Sequence, residues 1–227
     1  VANSTIEVKY IYTKNAGEVT DEIIKNGLDK VTSTNSQFDY SLDYSATVDK
    51  FVGEVTLELI DELPFDVKEF IELDNRCTYN EETNTITCTE TYEINEESKT
   101  INDSFKISVK YENVTSEKVT NKVTANLTYD KNTETDTDEK ETVVEKGSLI
   151  VTYETTDGIE LSSPIESTDI GGKEYTTEEK TFYGYTLTKT PENKEGVYVA
   201  NSTVEVKYVY TKNAGEVTDE IIKNGLD

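Results

Sequence analysis

Between Phe38 and Val48 the chain alternates without a break. Phe38, Tyr40, Leu42, Tyr44, Ala46 and Val48 fall on one side of an extended backbone, and Asp39, Ser41, Asp43, Ser45 and Thr47 on the other. Strand side chains point to opposite faces with a period of two, so this run specifies a half-buried antiparallel strand. The same reading gives strands at Thr5 to Tyr12, Val55 to Leu63, Phe105 to Tyr111, Val119 to Tyr129, Ser148 to Tyr153 and Thr203 to Tyr210. Hydrophobic residues make up only 34% of the chain and mean hydropathy is −0.63, values that lean towards disorder. Against that, 15 tyrosines among many Val, Ile and Thr supply strand formers that tolerate a wet face. The expectation is a mostly-β chain of thin, well-solvated domains.

The second constraint is repetition. Val199 to Asp227 repeats Val1 to Asp29 with only two differences, Ile6/Val204 and Ile11/Val209. An offset of 198 residues is too long for one solenoid coil and suits a module of one or two domains recurring in series. The expected division is residues 1–16 closing one repeat, a domain over 17–129, an acidic linker over 130–146, a smaller domain over 147–212, and the opening of the next repeat over 213–227. Arrays of near-identical units more often build length or multivalency than one active site.

Charge narrows the partners. Lys and Arg number 22 against 47 Asp and Glu, a net charge of −25, and Arg76 is the one arginine. A polyanion without basic clusters does not neutralise phosphates, which argues against nucleic acid and anionic bilayers. No apolar run approaches membrane-spanning length, so no membrane insertion is expected in this segment. His is absent, and the acidic run 130–146 lacks the spacing of a calcium loop; no metal and no cofactor is expected. No nucleophile elbow or phosphate loop occurs either, so an enzyme is not expected.

Two polar residues fall on faces that ought to be buried. Asp61 shares the phase of Val55, Leu57, Leu59 and Leu63, and Asn121 that of Val119, Val123, Ala125 and Leu127. The strand before Pro64 ends there, and Phe65 to Asn75 reads as irregular or one helical turn. Cys77 to Cys88 reads as a hairpin with a loop at Glu81 to Asn84, making the cysteines direct cross-strand neighbours; a disulfide is favoured over two packed thiols.

Gly147 to Tyr153, Asp157-Gly158, Gly171 to Tyr175, Tyr183-Gly184-Tyr185 and Val204 to Tyr210 resemble the mucin-binding-protein (MucBP) repeat of Gram-positive surface proteins. That resemblance implies a small β-grasp-like domain. Lys25-Asn-Gly27, the tyrosine strand Tyr40 to Tyr44, Asp61-Glu-Leu-Pro64 and Asn121 resemble the isopeptide-forming, DUF11-like or fimbrial immunoglobulin-type domains of bacterial adhesins. Cys88 departs from this pattern where relatives often carry tryptophan. The second resemblance implies an Ig-like β-sandwich in which Lys25 and Asn121 condense with loss of ammonia, promoted by Asp61. Ile23 and Ile24 leave the phase of Lys25 ambiguous, and Lys30 is an alternative. A hydrogen-bonded core Asp and Asn beside a solvated Lys is the plainer reading of the residues alone.

Together these imply a repeat unit of a secreted, wall-attached adhesin at the bacterial cell surface. Its partners are host mucin or another glycoprotein or glycan, and neighbouring repeats of the same chain; its only reaction is single-turnover self-modification. Tyr183 and Tyr185 offer rings to a sugar, although aromatic residues at strand corners are more often core. The alternative is a passive stalk or fibre repeat with no ligand of its own.

Overall fold

The computed structural model describes residues 17–95 and 97–215. The strand expected at Thr5 to Tyr12 and most of the segment from residue 213 lie outside them. The described residues cluster into two compact units, one running to Val143 and the other from Val144 onward; the short segments Thr32–Thr34 and Thr115–Glu117 group with the second.

The first unit is an Ig-like sandwich of two antiparallel sheets. Strands β1 (Glu18–Gly27), β3 (Phe38–Asp49), β8 (Ser98–Tyr111) and β5 (Val67–Leu73) form one sheet in that order. The other runs β2 (Lys30–Val31), β10 (Asn132–Val144), β9 (Lys118–Tyr129), β4 (Gly53–Glu62), β7 (Thr85–Ile94) and β6 (Cys77–Asn80). Alternation along β3, β4 and β9 carries through to burial: Leu42, Val48, Leu57, Leu59, Val123 and Leu127 are all fully enclosed. Emptying one of these leucine sites to alanine costs about 2–5 kcal/mol, a large share of a domain's stability margin of roughly 5–15 kcal/mol.

Two expectations for this unit are corrected. Most of residues 65–75 are not irregular: Val67–Leu73 form β5, which pairs with β8, with register shifts between Val67 and Glu69 and between Phe70 and Glu72 that spoil its period. The acidic run is not a linker. It is strand β10, joined to β9 by a turn at Asp130-Lys131 and paired with it from Asn132↔Tyr129 to Val143↔Lys118. Asp130 takes φ 54°, a left-handed conformation that Asp tolerates in turns. Apolar periodicity is missing because the half-buried face of β10 carries Glu134, Asp136, Asp138 and Lys140 rather than hydrophobes.

These acids serve the backbone. The amide N–H of Ile23 donates to Asp136 Oδ2 at 3.0 Å and that of Lys25 to Asp138 Oδ2 at 2.7 Å. Thr142 Oγ1 donates to the carbonyl of Leu28 at 2.7 Å. Alternate side chains of β10 thus satisfy two amides on the outer edge of β1, where no strand pairs with it among the described residues, and so cover part of that edge.

The second unit has a mixed sheet ordered β12 (Glu160–Ile170), β11 (Lys146–Thr155), β16 (Thr203–Lys212) and β14 (Tyr185–Lys189). Central β11 and β16 run parallel, in register from Ser148↔Thr203 to Thr155↔Tyr210, and both neighbours are antiparallel to them. A two-stranded ribbon, β13 (Glu174–Thr176) with β15 (Glu195–Val197), lies between the two halves in sequence. The sheet order is β-grasp-like, with no helix among the described residues. Its small core is unusually aromatic: Tyr153, Tyr175, Tyr198, Tyr208 and Tyr210 surround Leu149, Val151 and Val206. A Cβ on Gly147 would meet the carbonyl oxygen of Val199 at 2.1 Å, so only glycine lets β11 pass there.

Candidate cross-linking site

Three polar side chains meet between the sheets of the first unit. On β1, Ile23 and Lys25 point inward, each 3% exposed, whereas Ile24 is 44% exposed; this settles the phase that two adjacent isoleucines left ambiguous. Lys30, at the start of β2, is exposed and lies outside the cluster. Asp61 is on β4 and Asn121 on neighbouring β9. Because Asp61 pairs with Val123, Asn121 sits diagonally from it on the same inner face, within side-chain reach. Lys25 comes from the opposite sheet, and its Nζ donates to Asp61 Oδ2 at 2.6 Å with both side chains fully buried.

The surroundings favour neutral partners. Burial pushes the Lys25 amine below its usual range, although Asp61 pulls the other way. Burial likewise pushes the Asp61 carboxyl up, opposed by Lys25 and by adjoining Asn121. Both shifts point from ammonium and carboxylate towards amine and acid, as expected where water is excluded and charge is poorly solvated. Tyr40 closes one side: Lys25 Nζ lies 4.9 Å from its ring centroid, and its hydroxyl, near Asn121, accepts from Tyr111 at 3.4 Å. Burial raises the Tyr40 phenol to about 12, so it remains a donor at any physiological pH.

One feature is out of keeping with a settled core. Neither amide atom of Asn121 nor Asp61 Oδ1 has a hydrogen-bond partner among the described residues. An orphaned buried polar group costs about 1–3 kcal/mol, and native cores rarely keep one without a reason. The arrangement is an amine, an acid and an unpaired carboxamide, all buried between the two sheets. With no exposure, the three groups are out of reach of a substrate from solution.

Elsewhere the register of β6 and β7 places Cys77 opposite Cys88, and the two form a disulfide. Tyr183 and Tyr185 are not brought together. Tyr183 stands fully in solvent on a turn whose Gly184 takes φ 82°, while Tyr185 opens β14 and packs partly against the tyrosine core. Sequence reasoning missed Tyr40 and the pair Asp136 and Asp138 as neighbours of Lys25. The signal for the acids was their alternation with Thr133, Thr135 and Thr137, a strand pattern written in polar residues.

Comparison with known proteins adds a class first. Residues 148–211 match the family model of the MucBP domain, so the second unit is a MucBP domain. The chain is also 29% identical over 219 residues to Internalin J of Listeria monocytogenes, a match covering 95% of this chain and 23% of that protein. Internalin J from a second strain of that species is 36% identical over 111 residues, 49% of this chain and 11% of that protein. The chain therefore spans about a quarter or less of the curated relatives it matches. Among solved structures, two domains of the major pilin SpaD from Corynebacterium diphtheriae align at TM-score 0.45 and 13% identity, covering 84% of this chain and 99% of that one. A Mobiluncus mulieris adhesin containing intramolecular disulfide, isopeptide and ester cross-links aligns at TM-score 0.46 and 11% identity, covering 86% and 99%.

Proposed function

We propose that this chain is a repeat unit of a wall-attached bacterial surface adhesin, in which the Ig-like unit is a covalently self-stapled spacer and the MucBP unit engages host mucin or another glycoprotein or glycan. The observation that carries the staple is the unpaired, fully buried carboxamide of Asn121 beside the Lys25–Asp61 pair. The neutral Lys25 amine attacks Cγ of Asn121 while Asp61 gives its proton to the amide. As the new C–N bond forms, the bond from Cγ to Nδ2 breaks, and NH3 leaves. Asp61 recovers a proton from the lysine nitrogen, ending as it began, so the balance is one amide gained and one ammonia lost. Low dielectric and fixed geometry supply the catalysis, and each molecule reacts once.

Surface location is supported by the disulfide, which persists in oxidising compartments, and by repetition of residues 1–29 at 199–227. That repetition also favours the second reading, a stalk whose units add length only. Intact mass under reducing conditions tests the staple: a deficit of one ammonia, mapped to a peptide joining Lys25 to Asn121, is expected, and the plain sequence mass overturns it. Binding of the single repeat to immobilised mucin, compared with Tyr183→Ala, tests the adhesive role; no binding by the repeat leaves the stalk.

A further inference from the structure

We infer that the MucBP unit is also a force-bearing shear clamp, closed by its parallel β11–β16 pair and locked by a crossbar of tyrosine hydroxyl contacts. Tension along the chain enters this unit at the start of β11, Lys146, and leaves at the end of β16, Lys212. The two strands are adjacent and parallel, with Ser148 opposite Thr203 at one end and Thr155 opposite Tyr210 at the other. Pulling β11 by its first residue and β16 by its last therefore slides one strand along the other. Every ladder hydrogen bond is loaded at once, including the flanking Ser148 N–H to the Ser202 carbonyl, 2.9 Å, and Thr156 N–H to the Tyr210 carbonyl, 3.0 Å. Antiparallel neighbours loaded from one end would instead open bond by bond.

Side chains resist the same slide. Tyr153 of β11 and Tyr208 of β16 are register partners whose rings stack at 5.3 Å. Segment 177–180 then ties both strands together. Tyr153 Oη donates to the Glu178 carbonyl at 2.9 Å, Tyr208 Oη and Thr177 Oγ1 share a hydrogen bond of 2.9 Å, and Tyr210 Oη donates to the Lys180 carbonyl at 2.7 Å. Lys180 N–H returns a bond to Tyr210 Oη at 3.1 Å, and its ammonium lies 4.3 Å from the Tyr153 ring centroid. Displacing β11 against β16 breaks these contacts together with the ladder. β12 and β14 flank the pair, which keeps water from competing for the central bonds.

The test compares two directions of pull on the same fold by single-molecule force spectroscopy. The native cysteines are joined, so introduced thiols are the free ones. Thiols at Glu145→Cys and Ala214→Cys load the pair in shear; thiols at Asp157→Cys and Ala214→Cys load both strands from their shared C-terminal end and peel them. Matching melting curves for the two untethered variants establish that only the direction differs. Shear should require a several-fold higher force than peeling and release on the order of 200 Å of chain between Lys146 and Lys212. Equal forces in the two directions, or a weaker shear, overturn the clamp. The inference does not rest on the cross-link, because neither tether spans Lys25 to Asn121; a null result here leaves the staple standing, and a full-mass first unit leaves the clamp standing.

Discussion

Replacing Asn121 by alanine removes the acceptor of the proposed bond while keeping the Lys25–Asp61 pair, so no lone charge is left in the core. Joining Lys25 to Asn121 closes a loop of 97 residues, and loop-closure entropy assigns such a cross-link about 5 kcal/mol of stability. The Cys77–Cys88 bridge lies inside that loop and shortens it slightly, which changes the logarithm by only ~0.1 kcal/mol. Two smaller effects oppose each other: truncation leaves a void, and it removes an unpaired carbonyl whose burial costs about 1–3 kcal/mol. The cross-link term dominates. For a domain of this size each kcal/mol moves Tm by about 3 °C, so the first unit of Asn121→Ala should melt roughly 15 °C below wild type. Calorimetry on protein whose mass has been checked is the assay. A wild type already one ammonia light but within ~3 °C of the variant refutes the entropic estimate. A wild type at full sequence mass refutes the chemistry.

Asp61→Asn should abolish ammonia loss and also strand Lys25 without its acid, destabilising the unit by a further ~3–5 kcal/mol; adding Lys25→Met should recover much of this in urea denaturation. The stability of Asn121→Ala should depend on pH through the buried pair. Lys25, lowered in the fold, binds fewer protons there than unfolded, so its penalty grows as pH falls from 10.5 towards its folded value. Asp61, raised in the fold, adds a penalty that grows as pH rises from 3.8 towards its folded value. The variant is then weakest between those limits relative to Lys25→Met/Asp61→Leu/Asn121→Ala, and parallel pH profiles would contradict the shifts. Asp138→Ala should cost about 1–3 kcal/mol and speed hydrogen exchange at the Lys25 amide, with Asp138→Asn restoring most of the protection. Reducing Cys77–Cys88 should lower stability by at most ~3 kcal/mol, read as a shift in denaturation midpoint.

How much was legible in the sequence follows from where apolar periodicity survives. β3, β4 and β9 have one wet and one dry face, so their period of two told which side was buried, and it placed Asp61 and Asn121 inside. The hairpin from Cys77 to Cys88 was legible for a local reason: loop length sets register, and the four observed pairs are those expected. β5 was hidden by register shifts that break its phase. β10 was hidden because its half-buried face consists of carboxylates, which hydropathy reads as solvent, although Asp136 and Asp138 are spent on backbone N–H groups of β1.

By itself, then, the sequence determined what short-range geometry controls: the β class, the phase of the clearest strands and the hairpin that pairs the cysteines, together with the repetition of residues 1–29 at 199–227. Only the tertiary structure decided which lysine enters the core, because Ile23-Ile24-Lys25 reads equally well in either phase until β1 is fixed by β3 on one edge and by the acids of β10 on the other. Tertiary structure likewise made β11 and β16 parallel neighbours, from segments nearly fifty residues apart in the chain. Both outcomes depend on contacts between residues distant in sequence, whose energies are set by enclosure and exclusion of water, and no local pattern records them.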